Sequence, residues 1–216
     1  MSSNTQDAGG RLPWRAVGLL ACLGVIAGAR PGHAVNVVRV EEHWELRIAT
    51  PEPGSDAPQA TCVMSPVGDI AGLHAVFEIN QRTQPSFSPG GLQLQLWNGD
   101  APRAHVEAGA DAALGHADET VSWTQVMEIS GGVLRFSVSG GQSTTWGSFG
   151  GSDLTIEVPT ELANLNQYDP QVSVHHSAVG YAANRVKSLS LKRVRIVSAT
   201  GEMAEDATVR VVHALP

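Results

Sequence analysis

The chain has 216 residues, with 14 basic and 21 acidic side chains and a formal net charge of -7. That balance excludes an ordinary nucleic-acid binder, which needs a cationic surface to displace phosphate counterions. Two cysteines are too few for a disulfide framework.

Residues 1–34 differ chemically from the rest. Arg11 and Arg15 precede an apolar run from Ala16 to Gly28, and Pro31, Gly32 and Ala34 follow. Small residues at 32 and 34 fit the pattern read by a signal peptidase, and the run is shorter than the roughly 20 residues of a membrane span. Residues 1–34 therefore read as a signal peptide and 35–216 as one mature domain, exported to the periplasm or the extracellular space. Leu19–Cys22 loosely fits a lipoprotein box, but the apolar run continues past Cys22 through Leu23, Val25 and Ile26. Processing would leave 11 basic and 20 acidic residues, a net charge of -9. Such a domain is expected to be soluble, without stable membrane insertion.

Period-two alternation dominates the mature part. Trp44, Leu46 and Ile48 alternate with His43, Glu45 and Arg47, and Pro51–Pro58 then forms a loop. Ala60–Met64 reads as a strand that buries the Cys62 thiol. Leu73, Ala75, Phe77 and Ile79 share one face, with His74, Glu78 and Asn80 on the other. Leu92, Leu94 and Leu96 alternate with Gln93, Gln95 and Trp97 up to the turn signal Asn98-Gly99. Residues 101–119 leave a short helix and an edge strand equally open. Thr120–Ser130 and the run of Leu134, Phe136 and Val138 make a hairpin about Gly131-Gly132, with Trp123, like Trp44, in phase with the core.

Farther on, Leu154, Ile156 and Val158 predict a strand ended by Pro159, Glu161–Leu165 one helical turn, and Val172 with Val174 a short strand. Leu189 and Leu191 lie in one phase and Val194 and Ile196 in the other, so a bulge is expected near Lys192-Arg193. Val209 and Val211 mark the last strand. About nine to eleven strands of this kind predict an all-β fold, two antiparallel sheets stacked as a sandwich.

Three segments resemble a known group. Thr120–Val138, with its Trp123 strand, glycine turn and Leu134-Arg-Phe136 strand, is similar to the central hairpin of concanavalin A-like (laminin-G-like) jelly rolls. Ser188–Ile196 resembles their late strand, and Gly90–Trp97 an inner one. The resemblance implies a jelly roll, and glycan binding as a common role.

Catalytic signals are scarce. The carboxylate-lined E-x-D-x-E strand of that group's hydrolases is missing. Asp153 and Glu157 share a strand face but stand about 13 Å apart at Cα, beyond the roughly 5–9.5 Å carboxyl spacing of glycosidases. His175-His176, as strand neighbours, would point to opposite faces, which disfavours a shared metal. No cofactor is expected; calcium through Asp153 or Asp169 has no acidic loop motif behind it.

The most suggestive feature is a polar row. Gln93, Gln95 and Trp97 fall on one line at about 6.5–7 Å spacing, amides beside an indole that stacks on a sugar ring. Glu78 and Asn80 extend the row if their strand is adjacent, and Trp146 stands in a Gly/Ser/Thr-rich turn either as a ligand contact or as a packing lid. The expectation is a secreted, non-catalytic binding module for a glycan or cell-envelope polysaccharide. The alternative is a structural or adhesive surface protein acting through protein contacts, and a glycan hydrolase comes third.

Overall fold

Side-chain alternation becomes two stacked sheets. A computed structural model describes residues 35–49, 58–80, 91–108 and 118–216. The signal-peptide reading and most of the two proline-rich loops lie outside the described residues. Thirteen strands form among those residues: β1 (Val37–Ile48), β2 (Ala60–Met64), β3 (Leu73–Ile79), β4 (Leu92–Asn98), β5 (Ala101–Ala108), β6 (Thr120–Ser130), β7 (Val133–Ser143), β8 (Gly147–Phe149), β9 (Thr155–Pro159), β10 (Ala178–Val179), β11 (Val186–Ser198), β12 (Met203–Asp206) and β13 (Arg210–Ala214). One helix, α1 (Pro170–His176), lies between β9 and β10.

The larger sheet has eight strands in the order β12-β11-β1-β6-β7-β8, with β13 also pairing β11 and β9 also pairing β7. The smaller has five in the order β10-β2-β3-β4-β5. Every pairing is antiparallel. The protein is thus an all-β, two-sheet sandwich, and its inner faces are the ones alternation marked. Val40, Trp44 and Leu46 on β1 meet Ala75, Phe77 and Ile79 on β3 and the three leucines of β4 in one core cluster. Trp44 and Trp123 stack at 6.4 Å, and Phe77 reaches across from the other sheet to Trp123 at 5.6 Å.

Local chemistry explains the joints. Gly131 and Gly132 both hold positive φ, at 58° and 76°, in the two-residue turn between β6 and β7, where a side chain is strained. The expected bulge is present: His43 pairs with Arg193 and Trp44 with Leu191, leaving Lys192 as the extra residue. That step swaps the buried phase of β11 from Leu189 and Leu191 to Val194.

Other expectations are corrected. Residues 170–176 form a helix rather than a strand at Val172 and Val174, because Asp169 caps Gln171 N and Pro170 opens the first turn. Glu161–Leu165 makes no helical turn; instead Leu165 N bonds Val37 O and its side chain is buried. Asp153 belongs to a 3-10 turn, Ser152–Leu154, ahead of β9. Residues 101–108 resolve as edge strand β5. Val209 precedes the last strand, and Val211 faces outward while Val212 packs on the core.

One close approach gives a test of packing. A Cβ on Gly141 would fall 2.3 Å from the Phe149 ring, which lies across that glycine from paired strand β8. Gly141→Ala is therefore expected to destabilise the fold by roughly 1–3 kcal/mol, read from urea unfolding. An unchanged midpoint would show that the ring does not rest there.

Candidate functional site

Strand β4 carries the polar row on its outward side, opposite leucines that are 1% exposed. Register places Glu78 directly across from Gln93 and Val76 across from Gln95, while on β5 His105 faces Gln95 and Glu107 faces Gln93. Four of the six expected residues, Glu78, Gln93, Gln95 and Trp97, are therefore brought together.

Their bonding is more specific than the sequence suggested. Trp97 Nε1 donates to Gln95 Oε1 at 2.7 Å, and Gln95 Nε2 donates to Glu78 Oε2 at 2.7 Å and to Gln93 Oε1. Gln93 Nε2 in turn donates to Glu107 Oε1 at 2.9 Å. The amides expected to meet a ligand are thus largely engaged with each other, which fixes their rotamers. Burial pushes the Glu78 carboxyl above the usual range, and the Gln95 amide partly opposes it. A pocket of about 320 Å³ adjoins the row, lined by Gln93, Gln95, Pro102, Arg103, Ala104 and His105. That volume lies at the small end of ligand pockets, about 300–1,000 Å³.

Asn80 and Trp146 do not join this row. Asn80 follows the end of β3 with φ 59°, is fully buried, and its amide donates to Pro58 O at 2.8 Å. It shapes the turn, a role open to asparagine because its short polar side chain tolerates left-handed backbone. Trp146 sits between β7 and β8 of the other sheet, its ring edge-on to Phe149 at 6.1 Å and half-buried against the core. Phe149 stacks on Phe77. Of the two roles open to Trp146, this is the packing one.

Sequence reasoning left β5 open between an edge strand and a short helix, and missed that its Arg103, His105 and Glu107 complete the face. It also missed a polar cluster inside the sandwich. Glu42 is 0% exposed, and its carboxylate accepts from Trp44 Nε1 at 3.0 Å, Tyr168 OH at 2.7 Å and Ser173 Oγ at 2.5 Å. Burial raises its pKa to about 7 against the pull of those three donors and of Arg210. Gln125 lies directly across on β6, donating to Cys62 O at 3.3 Å, and its Oε1 has no partner among the described residues. These groups pin the 165–177 segment to β1: Leu165 N bonds Val37 O, and Asn166 Oδ1 accepts from Val37 N. Sealed from solvent, Glu42 serves the fold rather than a substrate.

The outer face of the larger sheet holds an ion-pair lattice. Arg39 and Arg195 share Glu41, Arg39 also reaches Glu128, and Arg135 pairs with Glu157 at 2.7 Å. His43 sits within it, hydrogen-bonded to Thr124 at 2.9 Å, its pKa lowered by burial and by Arg193. Glu157 is thus committed to Arg135, and with Asp153 in the preceding turn the two carboxylates do not form a strand-face pair. His175 and His176 lie on α1, edge to face at 5.0 Å, and no metal-ligating group of three or more occurs among the described residues. No helix there is long and apolar enough to cross a membrane.

No protein-family model matches this chain, and no curated protein matches it.

Proposed function

We propose that this chain is an exported, non-catalytic binding module whose ligand is a glycan or cell-envelope polysaccharide, held on the outer face of β3, β4 and β5. The observation that carries the reading is the hydrogen-bonded row Trp97–Gln95–Gln93 with Glu78 and Glu107, set beside a 320 Å³ pocket. Side chains locked before binding lose little entropy on contact, and a row with carboxylates at one end and an indole at the other matches the hydroxyls and the apolar face of a sugar. The two-sheet sandwich and the Trp123 hairpin are in keeping with a concanavalin A-like jelly roll, in which glycan binding is common. Export rests on the charged, apolar and small-residue sequence of positions 1–34.

Glycan-array binding by the intact chain tests this, with Trp97→Ala expected to weaken capture at least about tenfold, or about 1.4 kcal/mol. Undiminished capture by that variant would remove this face from consideration.

A second reading, a surface protein acting through protein contacts, has its own observation. Met203, Val209, Val211 and Leu215, all within the C-terminal stretch around β12 and β13, are 68%, 49%, 55% and 38% exposed. They lie along the same edge of the larger sheet, where β12 and β13 both pair with β11, and exposed apolar side chains on one edge fit a protein contact.

A further inference from the structure

We propose that the pocket beside the polar row takes the carboxylate of an acidic sugar, so that the polymer bound is a uronate-containing one, with Arg103 as the anion's partner. This rests on the glycan reading and narrows it.

Arg103 stands apart from most arginines of this chain. Arg39, Arg135, Arg193, Arg195 and Arg210 each lie 2.5–3.4 Å from a carboxylate. Arg103 has no such partner among the described residues, yet it lines a pocket with Gln93 and Gln95. Its placement comes from an irregularity in the sheet. Leu96 pairs with Ala104 and Trp97 with Pro102, so Arg103 is the extra residue of β5.

The two ends of the face differ. At one end Trp97 and its partner Pro102 form an apolar platform beside Arg103. At the other, Glu78 and Glu107 flank Gln93. Arg103 and Glu107 are four strand residues apart, about 13 Å, so the guanidinium is not neutralised by that carboxylate at contact distance. A sugar ring on the platform would present its carboxylate to Arg103 and His105 and its hydroxyls to the acidic end. Arginine suits this task because its planar fork matches a carboxylate with two parallel hydrogen bonds.

The chain carries a net charge of -7, which disfavours polyanions at long range, so an acid preference has to come from the guanidinium at contact. One carboxylate per ring is the charge that a single arginine can answer.

The test compares polymers that differ only at the carboxyl group. Affinity electrophoresis of the intact chain, as its host produces it, is run through polygalacturonate, alginate, hyaluronate and glucuronoxylan, and through the carboxyl-reduced form of each. At least one acidic polymer is expected to bind about tenfold tighter than its reduced form, equivalent to about 1.4 kcal/mol. Arg103→Gln is expected to erase that difference between each acidic polymer and its reduced form, and added salt to weaken the acidic arm more than the reduced one. Equal retardation by a polymer and its reduced form overturns the acidic-sugar assignment and leaves the glycan reading standing. An acid preference that Arg103→Gln preserves overturns the role given to Arg103. Absence of binding to all eight polymers overturns the assignment, and a blank glycan array alongside it overturns the glycan reading as well.

Discussion

As the pH rises from about 4.5 to about 7, Glu42 is expected to remove about 3 kcal/mol of folding stability, a loss that Glu42→Gln abolishes. The unfolded chain releases the carboxyl proton near 4.5, whereas burial lets the folded chain keep it to about 7. Between those values the folded state binds more protons, so each rise in pH favours unfolding. The contribution is fully present below 4.5 and fully lost above 7. His43 acts the other way: its depressed pKa makes folding less favourable as the pH falls through the histidine range. Urea unfolding of both proteins across this range separates the two effects, because only the Glu42 slope vanishes in the variant. Identical slopes in the two proteins would mean that the carboxyl is not held neutral inside the sandwich.

Phe77→Ala is expected to cost about 3–5 kcal/mol, the usual range for a fully buried aromatic. Phe77 is 0% exposed and projects from the smaller sheet onto Trp123 and Phe149 of the larger one, at 5.6 and 6.4 Å. Truncation removes contact area from both sheets at once, and the two large rings that Phe77 touches cannot close the gap without leaving their rotamers. Phe77→Leu keeps much of the volume and should recover a large part of the loss. A cost below about 1 kcal/mol for the alanine variant, measured by urea unfolding, would show that the sheets do not meet at this ring.

Both effects arise at positions whose phase is legible in the sequence. Phe77 repeats with Ala75 and Ile79, and Glu42 falls in step with Val40, Trp44 and Leu46. A carboxylate in a greasy phase is a readable signal of a buried acid, and Gln125 between Trp123 and Met127 is another. What alternation could not supply is the partner side. Ser173 and Tyr168 approach from a segment whose Val172 and Val174 mimic a strand, and only the Asp169-Pro170 start betrays the helix.

The candidate face divides in the same way. Gln93, Gln95 and Trp97 follow from the leucine alternation, and Glu78 from pairing of neighbouring strands. Strand β5 was illegible because Ala101, Ala104 and Ala108 give almost no contrast between faces, and its extra residue at Arg103 breaks the period. Asn80 has the phase of Glu78, but its positive φ just past β3 turns it inward, and Trp146 stands in a turn of the other sheet.

Cys62 lies 1% exposed beneath this arrangement, the one cysteine among the described residues, and burial lifts its thiol far above the ordinary range. In an oxidising compartment an accessible thiol would couple chains together. Enclosure between the layers makes that chemistry conditional on the layers parting, so crosslinked dimers through this sulfur would count molecules that have opened, and the native population would stay silent.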